Sequence, residues 1–298
     1  MPEKTRFDIL FLGAFTKDTI VNRETPPRVR NGGAFFYGAN VAARMGLSVA
    51  AVTRLAREDS GILHELRSIG VFVAATVTPQ STCLRIEYPS ADPDERTIRV
   101  ESTSGCFCLK DLGGVRADVA VVGASLRGEV PEELLEALVA SGCRIALDAQ
   151  GFVRVLRDGV LRHEAWPEAR QVLPMVSVLK ADSNEAEILT GTRDLQDAAS
   201  RILAMGAEEA LLTDQRGVHA VGSSGAHTAP FMPRHLVGRS GRGDTCLAAY
   251  AARRISHPPS EATLWAAAVT SLKLENDGPF CHSLADVEDR ARHIAAGT

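Results

Sequence analysis

Long apolar runs are missing from this 298-residue chain. None approaches the ~20 residues that a membrane-spanning helix needs. An excess of one charge is missing as well. Lysine and arginine number 33, aspartate and glutamate 37, and the formal net charge is −4. That balance gives no support for binding nucleic acid or an anionic membrane, so an anionic cofactor needs a local positive site. Cysteines paired at metal-site spacing are also lacking. The six lie at positions 83, 106, 108, 143, 246 and 281, and Cys106-x-Cys108 has no second pair. They read as ordinary thiols of a reducing cytoplasm. The eight histidines show no helical metal spacing with a second ligand. There is no repeat of fixed period and no low-complexity segment. Residues 1–8 carry both charge signs and lead only into Ile9-Leu10-Phe11-Leu12, which predicts a strand and not a signal peptide.

What remains suits one large α/β domain covering residues 1–298, with a small appendage. Short apolar runs at residues 7–13, 49–53, 119–123, 144–148 and 176–180 read as buried strands. Helical patterns lie between several of them, at 34–46, 60–70 and 131–141. Gly13 is not followed by Gly-x-Gly-x-x-Gly, which argues against a dinucleotide-binding dehydrogenase. Residues 76–104 alternate differently. Cys83-Leu84-Arg85-Ile86-Glu87-Tyr88, a turn at 89–93 and Arg96-Thr97-Ile98-Arg99-Val100 predict a hairpin. Arg85, Arg96 and Arg99 on it can face a ligand or solvent. Residues 21–30 contain Pro26 and Pro27 and read as an extended edge segment.

The chemistry concentrates in Gly238-Arg239-Ser240-Gly241-Arg242-Gly243-Asp244-Thr245, ahead of a helix beginning near Cys246. Glycines let backbone approach a ligand closely. A helix start adds unpaired N–H groups and a positive dipole end, which suits a phosphate. Asp244 at the rim can take a proton from a hydroxyl. The same pattern also fits a capped helix after a tight turn. Arg242 offers a planar donor fork to a phosphate or to solvent.

Further acids lie near expected strand ends, where ligands bind in open α/β sheets. Asp18 follows the first strand and can accept two neighbouring hydroxyls of a polyol, or be a solvated loop acid. Gly32 and Gly33 open the helix that runs to Gly46, and Phe35, Phe36 and Tyr37 at its start read mainly as core. Asp148 ends a strand, within Asp148-Ala149-Gln150-Gly151-Phe152-Val153-Arg154. Asp182 and Glu185 sit at a strand–helix junction. Paired acids there suit a hydrated Mg²⁺ beside phosphates, or place charge on a helix dipole.

In their order and spacing these segments resemble the ribokinase-like (PfkB-type) carbohydrate kinases, over nearly the whole chain. The Gly-x-Gly-Asp at a helix start resembles that family's C-terminal signature. Gly238 and Arg239 replace its usual Asp-Thr, and Arg242 its usual alanine. The segment from Gly32 to Gly46 and the Asp-x-Gln-Gly-x-x-Arg run look like the inositol-kinase-type branch. The resemblance implies a mostly parallel sheet with helices on both faces, and a small β-sheet lid from segments near 19–31 and 76–104. It implies an ATP- and Mg²⁺-dependent transfer to a hydroxyl of a sugar or cyclic polyol. Asp244 would be the base, with Gly241, Arg242 and Gly243 as the anion hole. Asp18, Gly32 and Gly33 would hold the substrate. Asp182 and Glu185, in the place of the family's Asn-x-x-Glu, would serve the metal. Thr213 and Gly217 fall in the nucleotide-side loop, with Gly241 and Gly243 on the phosphates. A nucleoside kinase, with an aromatic residue at 35–37 stacking on a base, is a rival reading. An inactive binding relative is another. A lid edge left open can pair with a second subunit as a homodimer.

Overall fold

The structure is a computed structural model and describes residues 6–22, 26–89 and 96–297. The chain forms β1 (Phe7–Leu12), β2 (Thr16–Val21), β3 (Arg28–Gly32) and helix α1 (Ala34–Arg44). Next come β4 (Val49–Ala56), α2 (Gly61–Ser68), β5 (Phe72–Thr78), β6 (Thr82–Glu87) and β7 (Thr97–Ser102). The middle of the chain gives β8 (Ala117–Val122), α3 (Glu132–Ala140), β9 (Arg144–Asp148), α4 (Gln150–Val153), β10 (Arg154–Arg157), β11 (Val160–His163) and α5 (Ala169–Val172). Then follow β12 (Val176–Asp182), α6 (Ser183–Thr190), α7 (Leu195–Ala204), β13 (Glu209–Thr213), β14 (Gly217–Gly222) and β15 (Gly225–Pro230). Helices α8 (Arg242–Arg254), α9 (Pro259–Leu274) and α10 (Leu284–Gly297) close the fold.

Nine strands make the large sheet, in the order β15-β14-β13-β12-β9-β8-β1-β4-β5. The run from β5 to β13 is parallel, and β14 and β15 add an antiparallel edge. The sequence of β1 shows why both faces are covered. Ile9 and Phe11 enter one apolar cluster with α1, α8 and α9, while Leu10 and Leu12 enter the other with α3 and α7. Successive side chains of a strand point to opposite faces, so an unbroken apolar strand needs helices on both sides. Strand order reverses direction between β1 and β8, and the crevice above their carboxyl ends is where such sheets bind ligands.

A second sheet of six strands, β10-β11-β7-β6-β2-β3, stands over that crevice. It draws on the expected lid segments, with two differences. Residues 72–78 pair in parallel with β4 and extend the large sheet, because their register with residues 50–56 is continuous. The small sheet also contains a third hairpin, β10–β11. Its turn is Asp158-Gly159, with φ of 49° and 76°, and two positive φ values are what a two-residue hairpin turn of this dipeptide needs. Of the turn anticipated at 89–93, all but Pro89 lies outside the described residues. No helix among the described residues is long and apolar enough to cross a membrane.

Candidate active site

Two helix starts meet above the strand reversal. Gly13 follows β1 and Gly123 follows β8, and a β-carbon on Gly13 would fall 2.5 Å from the Gly123 carbonyl oxygen. A β-carbon on Gly123 would overlap Ala34 at the start of α1, and would stand 3.9 Å from Oδ1 of Asp244 at the start of α8. The absence of side chains at 13 and 123 therefore lets α1 and α8 aim their positive ends at one point. Gly33 caps α1 with φ 107°, and Gly241 caps α8 with φ 72°. Both backbones lie in the left-handed region that favours glycine.

A cavity of about 1180 Å³ opens over this point. Its walls include Asp18 and Arg30 from the small sheet, Gly33 and Tyr37 at the start of α1, Asp148, Lys180 and Asp182 at or near strand ends, residues 239–241 of the glycine loop and residues 242–244 in the first turn of α8. Seven arginines and lysines and five acids line it. The chain as a whole is acidic, so this is the local positive site that an anionic ligand requires.

Asp244 lies in the first turn of α8, partly exposed to the cavity. Burial pushes its carboxyl above the usual aspartate range; Lys180 and Arg154 oppose that, and Glu185 and Asp18 reinforce it. A carboxylate raised in this way is a better proton acceptor than a free one. Asp18 projects from β2. Its Oδ1 is buried without a hydrogen-bond partner among the described residues, and burial moves its pKa up to about 6. Such an atom is costly to bury unless a ligand group pairs with it.

Lys180 lies two residues before the end of the largely apolar strand β12 and is 3% exposed. Its Nζ lies 3.2 and 3.1 Å from the two oxygens of Asp148 and 3.4 Å from Oε2 of Glu185. Burial works against its charge, but Asp148, Glu185 and Asp182 outweigh it and hold the ammonium above the free lysine range. Arg154, at the start of β10, is also buried and lines the cavity, with its Nε unpartnered among the described residues.

Thr213 at the end of β13 lines the cavity, as do Gly241, Arg242 and Gly243. Other expected residues sit elsewhere. Gly32 is behind the wall, where a β-carbon would fall 2.9 Å from the Tyr37 ring. Gly217 packs against Ala229 of β15, and its N–H donates to Asp214. Asp182 faces the cavity, but Glu185 is sealed behind it at 1% exposure. The two form a reciprocal cap at the start of α6: Glu185 N donates to Asp182, and Asp182 N donates to Glu185 Oε2 at 2.8 Å. Among the described residues, no group of three or more His, Cys, Asp or Glu side chains is placed to hold a metal ion. Phe35 and Phe36 are core residues, and only Tyr37 of that trio reaches the cavity. Of the lid arginines, Arg96 lines the cavity, whereas Arg85 and Arg99 pair with Glu87. Neither Lys180 nor the β10–β11 hairpin that starts at Arg154 was among the residues expected to form the site. A charged residue near the end of a largely apolar parallel strand, and an Asp-Gly between two Val-Leu stretches, were the available signals.

A proton acceptor, an amide-rich helix start and a cationic pocket at a strand reversal define a phosphotransferase of ribokinase-like fold. The match to the model of the pfkB family carbohydrate kinases over residues 10–280 makes it specific: the chain belongs to that family. Comparison with curated proteins returns no match. Among solved structures, the chain is similar to a sulfate complex of a pyrophosphate-dependent kinase in the ribokinase family. Identity is 33%, coverage 94% of this chain and 99% of the other, and the TM-score 0.87. It is also similar to a pyrophosphate-dependent kinase of that family complexed with a pyrophosphate analog and myo-inositol, at 31% identity, 94% and 99% coverage and TM-score 0.86. The Arabidopsis thaliana ribokinase complexed with ribose and ATP shares the fold at 18% identity, 96% and 99% coverage and TM-score 0.77.

Proposed function

We propose that this protein transfers a phosphoryl group to one hydroxyl of a cyclic polyol of the inositol type, with inorganic pyrophosphate as donor. The observation that carries the reading is the position of Asp244. It lines the same cavity as Asp18 and Gly33, which we assign to the acceptor, and as residues 241–243 and Lys180, which we assign to the donor. Asp18 presents an unpartnered oxygen to the acceptor's hydroxyls. Asp244 takes the proton of the attacking hydroxyl as its oxygen bonds to phosphorus. The N–H groups at the start of α8 then meet charge on the transferred phosphoryl. Of the two acids expected to serve Mg²⁺, Asp182 faces the cavity, and the ion would neutralise donor charge beside it.

Two observations favour pyrophosphate over ATP. The structures at 31% and 33% identity are of pyrophosphate-dependent kinases, and a small donor of high charge density suits a cavity richer in cations than in acids. ATP with Mg²⁺ is the second reading, supported by Thr213 on the cavity wall. A nucleoside acceptor is left with only Tyr37 of the three aromatic residues, because Phe35 and Phe36 lie in the core.

The test is product formation followed by phosphorus NMR, with inositols, hexoses and nucleosides as acceptors and pyrophosphate or ATP as donor. A phosphorylated inositol formed from pyrophosphate is expected. Turnover with ATP alone would overturn the donor assignment and leave the kinase. No product with either donor would overturn both.

A further inference from the structure

Lys180 holds a position that its ion pairs alone do not explain. Its ammonium is enclosed by Asp148 and Glu185, with both partners buried. The remaining side of the group faces the glycine loop. A β-carbon on Gly243 would fall 2.8 Å from Nζ and 3.2 Å from Cε of Lys180, and 3.8 Å from Oδ2 of Asp148. Gly243 is bare at the point where the lysine comes up from the sheet. The same residue lines the cavity, and Asp244 is the next residue along the helix. A buried ammonium is thus delivered to the inner face of the loop that receives the phosphoryl group.

We propose that Lys180 is a catalytic residue whose ammonium contacts the transferred phosphoryl from beneath Gly243, with Asp148 and Glu185 as positioning residues that hold it there. The inference rests on the phosphotransferase reading above. The acceptor oxygen forms a bond to phosphorus as the bond to the leaving phosphate breaks, and the acceptor's proton goes to Asp244. Lys180 exchanges no proton and stays charged throughout. Its contribution is fixed positive charge where the phosphoryl oxygens carry charge in transit, and such groups act most strongly in a site shielded from water. Asp148 and Glu185 offset the cost of burying that charge. Gly243 has a corresponding role, since a side chain there would displace the ammonium.

The test compares the unaltered protein with Lys180→Met/Asp148→Asn, a double variant that removes the cation and one anion together and so avoids an unpaired buried charge. With the melting temperature retained, kcat is expected to fall by about 100-fold or more while the acceptor KM stays within about threefold. A kcat within about threefold of the unaltered protein would overturn the proposal. A second measurement uses the unaltered protein, so that a folding defect in the variant decides nothing. The Lys180 Nζ resonance should move on addition of inorganic pyrophosphate, and a resonance unmoved at saturation would overturn the contact. Failure of the unaltered protein to turn over with any donor would strike the phosphotransferase reading instead, and the resonance would still report whether Lys180 meets the anion.

Discussion

The ring of Tyr37 fills the space that a side chain on Gly241 would need. Tyr37 belongs to the first turn of α1 and Gly241 caps α8, so the starts of the two helices share one packed contact. Gly241→Ala meets both this ring and a φ of 72°. A left-handed backbone costs a residue with a side chain roughly 1–2 kcal/mol. The expected outcome is a melting temperature lowered by a few degrees and a reduced kcat. Adding Tyr37→Ala to that variant should recover part of the kcat, leaving the backbone strain. Thermal melts and steady-state kinetics on the three proteins check this, and no recovery would place the whole cost in the backbone.

Asp244→Asn keeps the shape of the base and removes its proton affinity. Loss of a positioned general base is expected to lower kcat by about 10²–10⁴-fold. Donor binding should persist, because the helix start and the cations are unchanged. Calorimetry with pyrophosphate alongside turnover separates the two effects. A variant with near-normal kcat would remove Asp244 from the proton transfer.

Asp18 gives a pH dependence with a defined sign. Burial raises its pKa from 3.8 to about 6. Above about pH 6 it is mostly a carboxylate, and if it binds acceptor hydroxyls as proposed, the acceptor KM should rise as pH falls through that value. Folding responds in the opposite sense. Between pH 3.8 and 6 the folded chain holds a proton that the unfolded chain has released, so this group's contribution to stability falls as pH rises. Asp18→Asn should flatten both profiles.

Lys273 is fully buried in α9, and its Nζ donates to the Gly238 carbonyl at 3.0 Å. Burial and Arg30 push its pKa down to about 8, against the opposing pull of Asp277 and Asp244. Between pH 8 and 10.5 the unfolded chain binds the extra proton, so this group's contribution to stability rises with pH. The difference in unfolding free energy between the unaltered protein and Lys273→Met should therefore grow across that window. A pH-independent difference would mean that the lysine is charged in both states.

The parts of the site that could be read in the sequence are those whose chemistry is local. Glycine at 241 and 243, and Asp244 at a helix start, follow from backbone conformation and dipole, which a short segment determines. Asp18 was expected just past the end of β1 and lies instead on β2, where it still lines the cavity. Lys180 was not legible, because its place beside Asp148 arises only when β9 and β12 pair in register. Glu185 illustrates the converse. Its spacing from Asp182 suits either a metal or a helix cap, and only packing shows that the carboxylate is sealed away from the cavity. Gly32 and Gly33 are neighbours in sequence, yet only Gly33 faces the cavity, a distinction set by the direction in which β3 enters α1.

Arg30 reaches from lid strand β3 to Ser240 of the glycine loop, 3.1 Å away, and to Asp277 beyond α9. Arg30 thus ties the small sheet that carries Asp18 to the loop proposed to receive the donor, and an acceptor bound at Asp18 is expected to favour one arrangement of that loop. Linkage requires the converse in equal measure: whatever factor the acceptor adds to donor affinity, the donor adds to acceptor affinity. The two substrates should then bind synergistically, and replacing Arg30 should weaken that cooperation more than either affinity measured alone.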